Sequence, residues 1–170
     1  MEKFILFIFI LALLLFAAKI AINYFAKKKA KEWTPFYLKQ STMNNSEQAF
    51  FINLNKQLGL EYIILSKVRI EDFVGVKRER LSKGERFGFR NRIKSRHVDF
   101  LICDLNTTRP LMVVELDGSS HNNYKRRERD NRLNEIYKEI NLEYEHIKVG
   151  SSFEEQAGKI KERLMNKIND

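Results

Sequence analysis

An unbroken apolar run over residues 4–18 limits what this 170-residue chain can become more than any other feature. Ile20, Ala21 and Ile22 extend the run past Lys19. The unbroken part falls short of the roughly 20 residues that a bilayer span needs. Lys19 can snorkel toward the headgroups, so a helix ending near Tyr24 would suffice. Tyr24 and Trp33 are candidate interface anchors. Lys3 ahead of an apolar run also fits the early part of a cleaved signal peptide. No convincing small-x-small cleavage site follows, and Lys27, Lys28, Lys29 and Lys31 come directly after. The expectation is an uncleaved, single-pass anchor over 1–25 in the inner (cytoplasmic) membrane. The positive-inside rule then places the N-terminus outside and the rest of the chain in the cytoplasm. The single cysteine, Cys103, cannot form an internal disulfide and reads as a core residue in a reducing compartment.

Beyond the anchor there is room for one compact domain. Residues 26–45, with Pro35 and the polar stretch 41–45, read as a linker, leaving 46–170 as the domain. Asn45 or Ser46 can cap a helix running to about Leu58, with Phe50, Phe51, Leu54 and Leu58 on its core stripe and Gly59 as its stop. Residues 61–68 read as a strand centred on Tyr62, Ile63, Ile64 and Leu65. The stretch 70–96, with Gly84, Gly88 and crowded charges, reads as loop or short helix. Residues 125–140 form an amphipathic helix with Leu133, Ile136, Tyr137 and Ile140 on one face. A strand over 144–149 and a helix over 153–168 close the chain. With the hairpin described next, the order α-β-β-β-α-β-α predicts an α/β (α+β) fold, a mixed central sheet flanked by helices.

That hairpin carries the chemistry. The segment Val113-Val114-Glu115-Leu116-Asp117-Gly118-Ser119-Ser120-His121 is a short strand that delivers two acids at its end and then turns. Side chains alternate along a strand, so Glu115 and Asp117 share one face while Val114 and Leu116 share the other. Two acids there, with an imidazole four residues on, suit a hard divalent cation; the plainer alternative is a turn and a solvated strand end. Upstream, His97-Val98-Asp99-Phe100-Leu101-Ile102-Cys103-Asp104 is a second strand-like run, and residues 105–110 make a turn of hairpin length. Folding the two runs antiparallel brings Asp99 beside Glu115. An Asp inside an apolar strand is costly to bury alone, so either a shared metal ion or a salt bridge to Arg or Lys must compensate it.

The net charge of +9 is unevenly spread. Residues 77–96 hold nine basic and two acidic side chains, and 125–132 hold five and two. Basic segments flanking an acidic cluster are what a phosphodiester-cleaving enzyme needs, although charged loops can also serve solubility or anionic lipid. One cysteine and three scattered histidines offer no structural zinc spacing. The chain has no Walker A loop, Gly-x-Ser-x-Gly elbow or dinucleotide fingerprint, which argues against a serine hydrolase or nucleotide-driven enzyme.

Asp99 at the start of one hairpin strand, then Glu115-x-Asp117-Gly118-x-x-His121 at the end of the next, resembles the PD-(D/E)xK nuclease superfamily. The closest likeness is to the very-short-patch repair endonucleases and related bacterial domains. That branch is similar in its basic helix after the histidine, here Arg126-Arg127-Glu128-Arg129-Asp130, and in a Glu near the start of the leading helix, here Glu47. The likeness spans roughly residues 44–150. The superfamily's usual motif lysine is replaced by Asp117, as in that branch, which leaves the general base open.

The resemblance implies a restriction-endonuclease-like sheet and a metal-dependent nuclease acting on nucleic acid, DNA before RNA. Asp99 and Glu115 would hold Mg²⁺ or Mn²⁺. Glu47 would orient a water, or is simply an acid favoured by the helix dipole. Asp117 would be a further metal ligand or would orient His121. His121 would serve as general base or stabilise the leaving group, or is a surface loop histidine. His97 would contact phosphate or merely end its strand, and His146 reads as structural. Lys94, Arg96, Arg126, Arg127 and Arg129 would contact phosphate, or the arginines pair with Glu128 and Asp130. The alternative is a catalytically inactive module of this fold that binds nucleic acid or a protein partner at the membrane.

Overall fold

The structure is a computed structural model that describes residues 1–32, 34–118 and 124–169, without the side chains of 29–32, 124–130 and 168–169. It comprises two compact units, Met1–Thr42 and Met43–Asp170.

In the first unit helix α1 spans Glu2–Glu32. Its part Glu2–Lys28 is long and apolar enough to cross a membrane. Its apolar side chains are exposed all round, so the helix has no core face of its own. The helix continues well past residue 25, where the anchor was expected to end. The reason is local: residues 26–31 are alanines and lysines, good helix formers, and the first helix breaker is Pro35. Trp33, the second expected interface anchor, lies outside the described residues.

The second unit begins with α2, Asn45–Leu58, capped by Asn44 rather than by Asn45 or Ser46. The Asn44 side chain accepts from the Glu47 amide at 3.0 Å, while Glu47 Oε2 accepts from the Asn44 amide at 2.9 Å. This reciprocal capping box satisfies two backbone donors that the first helical turn would otherwise leave open. Strand β1, Tyr62–Arg69, follows, and a short 3-10 turn, Ile70–Asp72, leads to helix α3, Lys83–Ile93. Strands β2, His97–Asp104, and β3, Pro110–Asp117, form the expected hairpin. Helix α4, Tyr124–Glu139, strand β4, Glu143–Lys148, and helix α5, Phe153–Asn169, complete the order.

The sheet runs β1-β2-β3-β4 and is mixed: β1, β2 and β3 are antiparallel neighbours, while β4 lies parallel to β3. The parallel pair needs a crossover, which α4 supplies. On one face Phe100, Ile102, Met112 and Val114 pack against Phe50, Leu54 and Leu58 of α2 and Ala157, Ile160 and Leu164 of α5. On the other, Leu101, Cys103 and Val113 pack with Ile70, Ile93 and Tyr137. Period-two alternation in β2 and β3 thus feeds two cores, and Cys103 is buried in the second. Ile140, assigned from sequence to the packed face of α4, lies just past the helix and is about half exposed.

Candidate active site

The sheet opens where its two halves part. The β2–β3 ladder holds as far as Phe100 opposite Val114. One step further out, β2 stays paired with β1 while β3 stays paired with β4 through Asp117. Backbone donors freed at this fork need partners, and two acids provide them. Asp99 Oδ2 accepts from the Leu116 amide at 2.8 Å. Glu115 Oε2 accepts in return from the Asp99 amide at 3.3 Å. The two carboxylates therefore cross-brace the diverging strands, and the expected closeness of Asp99 and Glu115 has a local cause.

The fork opens into a cavity of about 450 Å³ lined by Glu47, Asp99, Glu115 and Asp117, with Arg96 and His97 on its rim. Glu47 is the buried charged residue among those described. It reaches the site because the capping box fixes its carboxylate at the start of α2, and Asn44 Nδ2 donates to its Oε1 at 2.8 Å. Asp117 reaches diagonally to His146, the register partner of Glu115 on β4, its Oδ2 lying 3.4 Å from His146 Nδ1. The other imidazole nitrogen lies 3.1 Å from Asn134 Oδ1 on α4. His146, which reads as structural in the sequence, is thus part of the cavity wall.

A residue that the sequence reading passed over completes the cluster. Lys67 Nζ donates to Glu47 Oε1 at 2.6 Å and to Asp99 Oδ1 at 2.7 Å. Burial alone would lower the Lys67 pKa, but the hydrogen bonds it donates to Asp99 and Glu47 outweigh it and hold the ammonium above the ordinary lysine range. Lys67 lies between the pairs Ser66–Phe100 and Val68–Val98, hence opposite Asp99. Its backbone is left-handed, with φ 56°, a conformation that costs a non-glycine residue about 1–2 kcal/mol. A signal for it was present: Lys67 is a lone cation in the apolar run 62–68, the counterpart of the lone acid Asp99.

Tyr137 on α4 also lines the cavity, 2% exposed, and its hydroxyl has no hydrogen-bond partner among the described residues. Burial, and then the charge of Glu115, push its pKa upward, with Arg96 opposing only in part. Lys94 is exposed just after α3 and does not line the cavity, whereas Arg96 does. Arg126, Arg127 and Arg129 are on α4, but their side chains lie outside the described residues, as does His121 altogether. The salt-bridge alternative for Asp99 is therefore realised through Lys67. Among the described residues no group of three or more His, Cys, Asp or Glu side chains is arranged to hold a metal ion.

A family model described as "Protein of unknown function (DUF2726)" matches residues 39–168, and the chain belongs to that family. No curated protein and no solved structure matches it.

Proposed function

We propose that this DUF2726 member is a membrane-anchored, divalent-metal-dependent nuclease-like domain that hydrolyses nucleic-acid phosphodiester bonds. The reading includes a restriction-endonuclease-like fold, a membrane-spanning α1 and a domain on the cytoplasmic, lysine-rich side. The observation that carries it is the strand fork, where Asp99 and Glu115 brace each other over a cavity shared with Glu47 and Asp117 and edged by Arg96. The donor set suits a hard cation, because its oxygens are carboxylates and the acids outnumber Lys67. Asp99 and Glu115 would hold Mg²⁺ or Mn²⁺, with water and a substrate phosphate as the remaining ligands. When bound, such an ion supplies electrostatic stabilisation to the phosphoryl group. The chain's own residues do the rest. Lys67 keeps Glu47 and Asp99 in place, Arg96 faces the anionic substrate, and His146 and His121 are the imidazoles offered for proton transfer.

The test is calorimetric titration of Mg²⁺ and Mn²⁺ into the full chain in neutral detergent, with Asp99→Asn and Glu115→Gln beside it. It is followed by cleavage assays on single-stranded, duplex, mismatched and branched substrates. Metal binding and cleavage lost in both variants would support the proposal. Absence of cleavage on every substrate would sink it. One observation favours the inactive-module reading: the Lys67 ammonium sits between Glu47 and Asp99 and pairs with both. Salt-sensitive nucleic-acid binding that survives Asp99→Asn, with no turnover, would decide for that alternative.

A further inference from the structure

Helix α3 is unusual for a helix of a folded domain, since Ile93 is its one buried residue. It is fixed by a capping box from Ser82 and Glu85, and Arg90 Nε donates to Glu71 at 2.7 Å. Between α3 and the 3-10 turn runs a concave groove of about 990 Å³. Lys83, Arg86, Phe87 and Arg90 line it at i, i+3, i+4 and i+7, so one stripe of the helix presents three cations and an aromatic ring. Arg69 and Arg78 line the groove as well.

Two of these cations are committed: Arg90 to Glu71, and Arg69 to Asp72 at 2.9 Å. Arg78, Lys83 and Arg86 make no ion pair among the described residues. The Nε of Arg86 is shielded from solvent and has no hydrogen-bond partner there, although leaving a buried donor unpaired is costly. The Phe87 ring is 63% exposed. Phe89 is different: it lies off the groove, and the Arg92 guanidinium already covers its ring at 4.7 Å.

We infer that this groove is a binding site for single-stranded nucleic acid, with phosphates on Arg78, Lys83 and Arg86 and a base stacked on Phe87. Positive charge calls for a polyanion. An exposed ring set among the charges calls for an unpaired base, because a duplex hides its base faces. The groove also lies close to the site along the chain. Ile93 lines the groove and Ser95, Arg96 and His97 line the acidic cavity, so at most about 10 Å of chain separates Ile93 from Arg96. The inference rests on the nucleic-acid reading above and narrows its substrate to an unpaired strand.

The experiment measures anisotropy of labelled oligothymidylate, oligouridylate and a duplex of equal length against the full chain in neutral detergent, with metal chelated. The expected result is a preference for single strands. Phe87→Ala weakens single-strand binding about tenfold and leaves the duplex unaffected, while Phe89→Ala changes neither. Lys83→Gln and Arg86→Gln each lower the slope of log affinity against log salt by about 0.7. Equal behaviour of Phe87→Ala and Phe89→Ala, or equal affinity for duplex, would overturn the inference. So would variants that lose capture by anionic-lipid nanodiscs yet bind oligonucleotide normally. The two proposals fail separately. Phe87-dependent binding without cleavage under Mg²⁺ removes the phosphodiesterase reading alone, and cleavage with Phe87-independent binding removes the groove alone.

Discussion

At the scale of single residues, charge neutralisation inside a sheet is the controlling problem, and Lys67 is its solution. The residue has two opposing effects: its ammonium pairs with two carboxylates, and its left-handed backbone carries strain. Substitution can separate the two. Lys67→Met removes the charge and keeps the strain, whereas Lys67→Gly removes the charge and relieves the strain. Thermal unfolding at neutral pH should show both destabilised, with the glycine variant more stable than the methionine variant by about 1 kcal/mol. A methionine variant at least as stable as the glycine variant would refute the strain argument. Tyr137 supplies the opposite case, a buried hydroxyl with no partner among the described residues. Tyr137→Phe should leave stability unchanged or raise it by up to about 1 kcal/mol, while Tyr137→Ala should cost about 3–5 kcal/mol. Denaturant melts would show which holds, and a clear loss in the phenylalanine variant would mean that the hydroxyl has a partner. The acids were legible from sequence because an isolated Asp in an apolar strand is conspicuous. Lys67 was legible only as a lone cation in its run, because its role depends on a register that pairs it with Asp99, 32 residues away.

At the scale of elements, the sequence announced most of the secondary structure, because periodicity and turn residues are local signals. The hairpin, the leading helix and the closing helix were all legible. Helix α3 was only half legible, since a helix with one buried residue carries no apolar stripe and is specified by its cap and ion pairs instead. The link between β4 and α5 was invisible for the same reason. Arg163 of α5 bonds both Glu143 and Glu145 of β4, and Lys167 adds a bond to Glu143 at 3.3 Å. The Arg163 hydrogen bond first, against opposing burial and with help from Lys167, holds the Glu143 pKa below the ordinary glutamate value of 4.5. A depressed carboxylate pKa contributes stability that is present above 4.5 and is lost as pH falls through the folded-state value. Acid melts of the full chain should therefore lose stability below pH 4.5, and Glu143→Gln should flatten that limb while lowering stability at neutral pH. An unchanged acid limb in the variant would show that this bracket contributes nothing.

At the scale of the whole molecule, composition sets one helix apolar enough to cross a membrane apart from a strongly charged remainder. Glu2–Lys28 is a helix of 27 residues, about 40 Å at 1.5 Å per residue, against a hydrocarbon core of about 30 Å. In a bilayer the excess length would let the ends emerge, so that Glu2 and Lys3 at one end and Lys27 and Lys28 at the other would reach the headgroups, with Lys19 snorkelling. The same stretch is also what a signal sequence looks like near an N-terminus, and the two readings differ in covalent outcome. An anchor predicts that the intact chain stays with the membrane through high salt and alkaline washes and leaves only with detergent. A processed leader predicts a shortened polypeptide in the soluble fraction. High salt would release a chain held only by its basic segments, because screening weakens surface attraction within a Debye length of about 8–10 Å. Replacing Leu11 and Leu14 together with arginine separates the readings further. Two charges near the middle of the span each cost about 2.5–3.5 kcal/mol on insertion scales, so an inserted helix should be lost from the membrane fraction. If the doubly substituted chain still needs detergent for release, α1 is not what holds this protein to the bilayer.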